Sequence, residues 1–163
     1  MECVVSSVVA VLVVVHTVSM THAADHSQVV AEADALRNSG WWIWSDQSES
    51  NHCNWVTITC NEGGHVTQIS LGSYLAPLGE LSQLNLSSLP NLNFLTLSNV
   101  GLTGSISDQI GSLTKLTNLD LSHNQLTGSI PHQIGSLTKL TNLNLSYNHS
   151  VIPSFTMNES INK

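Results

Sequence analysis

The chain has 163 residues, room for one domain, and only 9% of them are charged. Its formal net charge of -7 leaves four basic residues, Arg37, Lys115, Lys139 and Lys163. Four scattered cations cannot replace the counterions of a nucleic acid or coat an anionic membrane, so neither is an expected partner.

From the N-terminus, an apolar run from Val4 to Val15 precedes small residues at Ala23 and Ala24. The run is too short to cross a bilayer, which takes about 20 residues, and it has the length of a secretory signal core. Residues 1–24 are therefore expected to be a signal peptide, although Glu2 stands where such signals carry Lys or Arg. The mature chain is then extracellular, with no transmembrane segment of its own. Next, Ser27 is predicted to cap a helix in which Val29, Val30, Ala33 and Leu36 recur at helical spacing, ending near Gly40. All four tryptophans, Trp41, Trp42, Trp44 and Trp55, follow within a short stretch. They suit either apolar cover for an open end of the fold or stacking on sugar rings, and the first use is the one expected. "CNWVTITC" places Cys53 and Cys60 as the only cysteines left once the signal is removed. An even pair in a secreted chain reads as a disulfide. A metal pair recruiting His52 or His65 lacks the two-residue cysteine spacing and second ligand pair of zinc sites, so no metal is expected.

Beyond this point the chain repeats itself. "LTKLTN" occurs at Leu113 and again at Leu137, 24 residues on, and the block from Leu89 is a third copy. Leu113, Leu116, Leu119, Leu121 and Leu126 answer to Leu89, Leu92, Leu95, Leu97 and Leu102 one period earlier, with Gly104, Ile106 and Ile110 answering to Gly128, Ile130 and Ile134. Leucines two apart in a strand share one face, and a single coil cannot bury them. Stacked coils can, with their strands pairing in parallel. An amphipathic helix is ruled out by Gly128, Pro131 and Gly135. Asn124 and Asn148 follow the strands, where an amide can satisfy backbone groups the turn leaves open, while Val100 interrupts that series and Asn99 stands one place early.

"LTKLTNLDLSHNQLTGSIPHQIGS" resembles the plant extracellular leucine-rich repeat, LxxLxxLxLxxNxLxGxIPxxLGx, with Ser107 in place of one proline. "CNWVTITC" is similar to the CxWxGVxC of the N-terminal cap of that family, with Thr57 in place of its glycine. The resemblance implies a short right-handed leucine-rich-repeat solenoid of the α/β repeat class. A parallel sheet would line its concave face, with a helical, disulfide-bonded N-terminal cap. The boundaries it implies are a cap over 25–64, repeats over 65–88, 89–112, 113–136 and an incomplete 137–148, and a polar tail over 149–163. The first coil is placed by Val66, Ile69 and Leu71. "EADALRNSGWW" followed by "HCNWVTITC" resembles most closely the ectodomain start of plant receptor-like kinases that perceive peptides or act as co-receptors, of the MDIS1-interacting receptor-like kinase 2-like type.

No Gly-Lys ends a phosphate loop, and GxSxG, HRD and DFG are absent, so no catalytic residue and no cofactor is expected. Asp120 is the only acid among the strand positions of the three regular coils. What is expected instead is recognition by the outward strand positions: Phe94, Thr96, Ser98 and Asn99, then Asn118, Asp120, Ser122 and His123, then Asn142, Asn144, Ser146 and Tyr147. Such a face suits an extracellular peptide or protein ligand, together with a co-receptor ectodomain. Asn85, Asn144, Asn148 and Asn158 stand in N-x-S sequons and are candidate glycosylation sites. Three functions fit this reading: a short secreted or receptor-derived recognition module, a fragment of a receptor serine/threonine kinase, or an inhibitor of a cell-wall-degrading enzyme. The leucines beyond Leu137 have no further coil to cover them, so that end is expected to open first.

Overall fold

The computed structural model describes residues 25–42, 51–72 and 78–149, and the backbone of 151–153. The predicted signal, Trp44 and Asn158 lie outside the described residues.

Helix α1 covers 25–38. Ser27 lies inside it, exposed, and not at its start, so the predicted cap is wrong by at least two residues. The end is where the sequence put it: Gly40 takes φ 72° and its N–H donates to the Arg37 carbonyl at 3.1 Å. Ala33, Ala35 and Leu36 are buried, whereas Val30 is exposed, so the apolar face is rotated from the expected one. Trp41, Trp42 and Trp55 are buried too, with ring centroids 6.0 and 6.3 Å apart in the two neighbouring pairs. Their faces are spent on each other and on Leu36, which removes sugar stacking as a use for these three.

The main sheet has five strands in the order β1 (Ile58–Cys60), β2 (Val66–Leu71), β4 (Phe94–Leu97), β6 (Asn118–Asp120) and β8 (Asn142–Asn144). β1 runs antiparallel to β2 and closes the sheet at its N-terminal end; every later pairing is parallel. The register aligns Ile69, Leu95, Leu119 and Leu143 across four coils. This ladder is the 24-residue repeat expressed in space. Leu89, Leu92, Leu95, Leu97, Leu113, Leu116, Leu119 and Leu121 pack with their neighbours into one continuous core.

On the opposite side each coil returns through short turns. β3 (Gly79–Glu80) pairs with β5 (Leu102–Thr103), and β7 (Gly128–Ile130) with β9 (Val151–Pro153), both in parallel. The tail expected from residue 149 therefore continues the stack, with the backbone of Val151–Pro153 in register with Gly128–Ile130. Gly128 reaches φ 84°, the left-handed turn that precedes the return. The one-turn helices Asp108–Ser112 and His132–Ser136 stack behind. A Cβ at Gly111 would lie 2.8 Å from that of Gln133, so the coils approach too closely there for any side chain. Where the repeat loses its proline, Ser107 keeps φ near -71° and accepts from the Gln109 N–H at 3.2 Å, capping the helix instead.

Candidate ligand-binding face

The concave face is laid out by the parallel register. Gln68, Phe94, Asn118 and Asn142 form one row across the coils, and Ser70, Thr96, Asp120 and Asn144 the next. Phe94 is 46% exposed and presents its ring on this face. Asn142 donates from Nδ2 to Asn118 Oδ1 at 2.6 Å, so the last two amides of the row are joined, with the Phe94 ring between them and Gln68. In the second row Asp120 Oδ1 accepts from the Ser122 backbone N–H at 2.9 Å and from Ser122 Oγ at 2.6 Å. Asn144 holds Ser146 in the same way, at 3.2 and 2.8 Å. One carboxylate oxygen of Asp120 thus closes a turn.

Ser122, expected on the outer face, is 2% exposed, and its Oγ is shared between Asp120 and Ser98 Oγ, the latter at 3.0 Å. The chain turns inward one residue earlier than strict alternation predicts, so Ser98 is half-buried and only Ser146, in the last coil, is exposed. Ser122 positions its neighbours and offers nothing to a ligand.

Asn99, His123 and Tyr147 occupy one backbone position in successive coils, with φ 57°, 56° and 56°. Asn tolerates this left-handed conformation well, and the next coils place a ring there. His123 and Tyr147 stack at 4.3 Å with their planes 14° apart, and Tyr147 remains 75% exposed. The pair lies beyond the C-terminal ends of β6 and β8, past the turn that follows each strand. Asn99 does not stand in for the missing asparagine at Val100. Val100 is buried, and the bonds its N–H and that of Leu102 require come from Asn124 Oδ1 of the next coil, at 3.1 and 3.0 Å. Asn124 Nδ2 donates to the carbonyls of Leu97, Leu121 and Ser122 at 2.7, 3.0 and 3.1 Å, so a single amide ties two coils together.

Asn148 does the same for its coil. Its Nδ2 donates to the carbonyls of Leu121 and Leu145 at 2.9 and 3.0 Å, and Oδ1 accepts from the Leu126 N–H at 3.0 Å. A glycan is attached through that same Nδ2, so glycosylation of Asn148 would cost the coil these bonds. Asn85 is exposed and, among the described residues, its Nδ2 meets only Ser88 Oγ, at 3.0 Å, which leaves it accessible.

The cap carries chemistry that sequence reasoning missed. Glu32 is fully buried in α1, yet its Oε2 accepts from the Val66 N–H at 2.7 Å and its Oε1 lies 3.1 Å from His65 Nδ1. The other ring nitrogen of His65 lies 2.6 Å from Asp25 Oδ1. His65 is held between two carboxylates, and the hydrogen bond to Asp25, with help from Glu32, raises its pKa above 6.5. Partners 33 and 40 residues apart left no local signal. The expected disulfide is present between Cys53 and Cys60, with a Cα–Cα distance of 5.6 Å. Thr57, in place of the resembled family's glycine, adopts φ 81°.

Residues 90–149 match the family described as leucine rich repeat. The chain is 44% identical over 85 residues to the leucine-rich repeat receptor-like serine/threonine-protein kinase RGI4 of Arabidopsis thaliana, and 41% identical to RGI3 of the same plant. These matches cover 52% of this chain but only 7% of either relative, and they fall in the ectodomain repeats, not in a catalytic region. Among solved structures, the ectodomain of the Arabidopsis receptor kinase HAESA in complex with an IDA peptide hormone superposes with a TM-score of 0.60 at 30% identity. That likeness covers 75% of this chain and 22% of HAESA. PEPR1 in complex with AtPEP1 gives 0.59 at 28% identity, covering 75% and 18%. The fold is thus a leucine-rich-repeat solenoid, homologous to the ectodomains of plant receptor-like kinases.

Proposed function

We propose that this chain is an extracellular recognition module whose concave face binds an extended peptide or a protein surface. The observation that carries the reading is the row Phe94–Asn118–Asn142 beside Thr96 and Asp120, flanked by the His123–Tyr147 stack. Unspent amide groups offer partners to a ligand backbone, Asp120 favours a cationic side chain, and the exposed rings supply apolar anchors at two margins of the face. Ser98 contributes at its rim. Two structural relatives carry a peptide in their complexes, which supports the same use here. Secretion, the domain boundaries drawn above and a glycan at Asn85 belong to the same reading, which requires Asn144, in the second row of the face, to be unglycosylated. Because the chain spans 7% of its curated relatives, a second reading is that it is part of a membrane receptor serine/threonine kinase, of the RGI or MDIS1-interacting type, acting with a co-receptor.

The test uses the full chain from a secretory host, probed with AtPEP1, the IDA peptide and a randomised peptide library. Phe94→Glu, Asp120→Lys and Tyr147→Ala should each weaken the best binder at least about tenfold, the loss expected for an interface anchor. Lys115→Ala and Gln133→Ala, off the strand face, should not. Equal losses in both sets place the binding surface elsewhere.

A further inference from the structure

The disulfide end of the solenoid also holds a histidine with an unused lone pair. His52 opens the one-turn helix His52–Asn54, whose start is fixed by Asn51 Oδ1 accepting from the Cys53 N–H at 3.0 Å. It is 2% exposed, and its Nε2 has no hydrogen-bond partner among the described residues. A buried ring nitrogen left unpaired costs on the order of 1–3 kcal/mol, so its retention calls for a reason. Burial lowers its pKa, with Glu32 and the Gly64 carbonyl acting in the other direction and Arg37 and His65 adding to the lowering. One ring nitrogen of His52 and the Sγ atoms of Cys53 and Cys60 all lie within 4.8 Å of one another.

We propose that His52, Cys53 and Cys60 form a redox-gated site for a thiophilic divalent cation of the zinc class, closed while the disulfide is intact and opened by its reduction. In the disulfide each sulfur is bonded to the other and is a poor ligand. A thiol reductant delivers two electrons and two protons: the Sγ–Sγ bond breaks, two cysteine thiols form, and two reductant thiols leave as their own disulfide. Each cysteine thiol then releases its proton as the sulfur bonds the cation, and His52 contributes its lone pair. Two thiolates and a divalent cation sum to zero charge, which suits a partly buried site at the edge of the core. Tetrahedral zinc with bonds of about 2.3 Å to sulfur needs the two sulfurs roughly 3.8 Å apart. Rotation of two side chains on Cα atoms 5.6 Å apart reaches that separation without moving the backbone. The fourth position stays open to water. The cation then takes over the bridge that the disulfide made, so a reduced cap remains closed only when metal is bound.

The test is a cadmium titration of the full chain after anaerobic reduction and desalting, with the oxidised chain alongside. Reduced protein should bind one equivalent with a thiolate-to-cadmium absorption band, the oxidised chain should show none, and zinc should raise the thermal midpoint of the reduced form only. Cys53→Ser and Cys60→Ser should abolish the band. His52→Gln should weaken binding at least tenfold, whereas Lys115→Ala should leave it unchanged. Absence of the band in reduced protein overturns the proposal, as does undiminished binding by His52→Gln. Should His52→Gln fail to fold, the cadmium NMR resonance of the unmutated chain decides: two sulfurs and one nitrogen support the site, and a spectrum without nitrogen overturns it.

Discussion

The two ends of this solenoid are built from the same repeat and are finished differently. At the N-terminal end, β1 covers the edge of β2, α1 lies over the first coils, and three buried tryptophans and a disulfide fill the junction. Gln28 Nε2 donates to the Ser88 carbonyl at 2.9 Å and Trp41 Nε1 to Gln83 Oε1 at 3.4 Å, which ties the cap to the repeats. At the other end β8 has a neighbour on one side only among the described residues. The effect is measured by one leucine in three coils: Leu95 and Leu119 are 0% exposed, and Leu143 is 43% exposed. The residue is the same and the position is the same. Burial in a stacked fold belongs to the neighbouring coil, not to the residue.

The largest expected effect tests that statement directly. Leu119→Ala should cost about 3–5 kcal/mol in chemical denaturation, because it leaves a cavity with coils on both sides. Leu143→Ala, where the side chain is already 43% exposed, should cost about 1 kcal/mol or less, since its atoms lose little burial. Amide exchange should run in parallel, slowest from Leu95 to Leu121 and fastest beyond Asn142. Similar losses at both leucines would show that another surface covers β8 in solution and that the two ends are equivalent.

Removing the disulfide with the Cys53→Ser, Cys60→Ser pair should cost about 2–3 kcal/mol, from the entropy released in the unfolded chain. The loss should appear as faster exchange in β1 and β2 and leave β6 and β8 unchanged. A uniform rise along the whole stack would mean that the cap supports the C-terminal coils as well, and the contrast between the ends would lose its force. Thr57 refines the picture further. A β-branched residue at φ 81° carries strain of order 1–3 kcal/mol. Against this, its Oγ1 accepts from Trp42 Nε1 at 3.3 Å, a bond whose net contribution is about 1 kcal/mol. Thr57→Gly should therefore stabilise the cap by up to about 1 kcal/mol.

The solenoid was legible because its information is periodic. Leu95, Leu119 and Leu143 stand 24 residues apart in the chain and side by side in the sheet. Asn124 was legible in kind, as a turn amide, although not in reach: it also supplies the coil that Val100 leaves short. Ser122 was misplaced because strict alternation holds only within the strand, and the Asp120 turn draws the next residue inward. Ser27 was misplaced because a capping residue carries no mark that distinguishes it from an exposed serine within a helix. Glu32, His65 and Asp25 were not legible at all. Each reads as an ordinary polar residue until α1 is laid against β2, and only that tertiary contact makes a fully buried carboxylate tolerable.

That clamp gives the smallest effect and the one most specific to the capped end. His65 has its pKa raised above 6.5 in the folded chain, mainly by the bond to Asp25 and also by Glu32. The folded state therefore binds a proton that the unfolded state gives up near 6.5. The resulting stability is fully present below pH 6.5 and is lost as the pH rises through the folded-state value. His52, its pKa lowered by burial, acts in the opposite sense, and its effect falls below 6.5. Titrating the denaturation midpoint should thus show a fall in stability above pH 6.5 that His65→Gln removes, while any loss on the acid side persists in that variant. Exchange at the Val66 amide, which Glu32 holds, should quicken on the same alkaline limb, and exchange at Leu143 should show no such step beyond the intrinsic pH dependence. If both amides respond together, the clamp acts on the whole stack; if neither does, Glu32 holds Val66 without the help of the His65 charge.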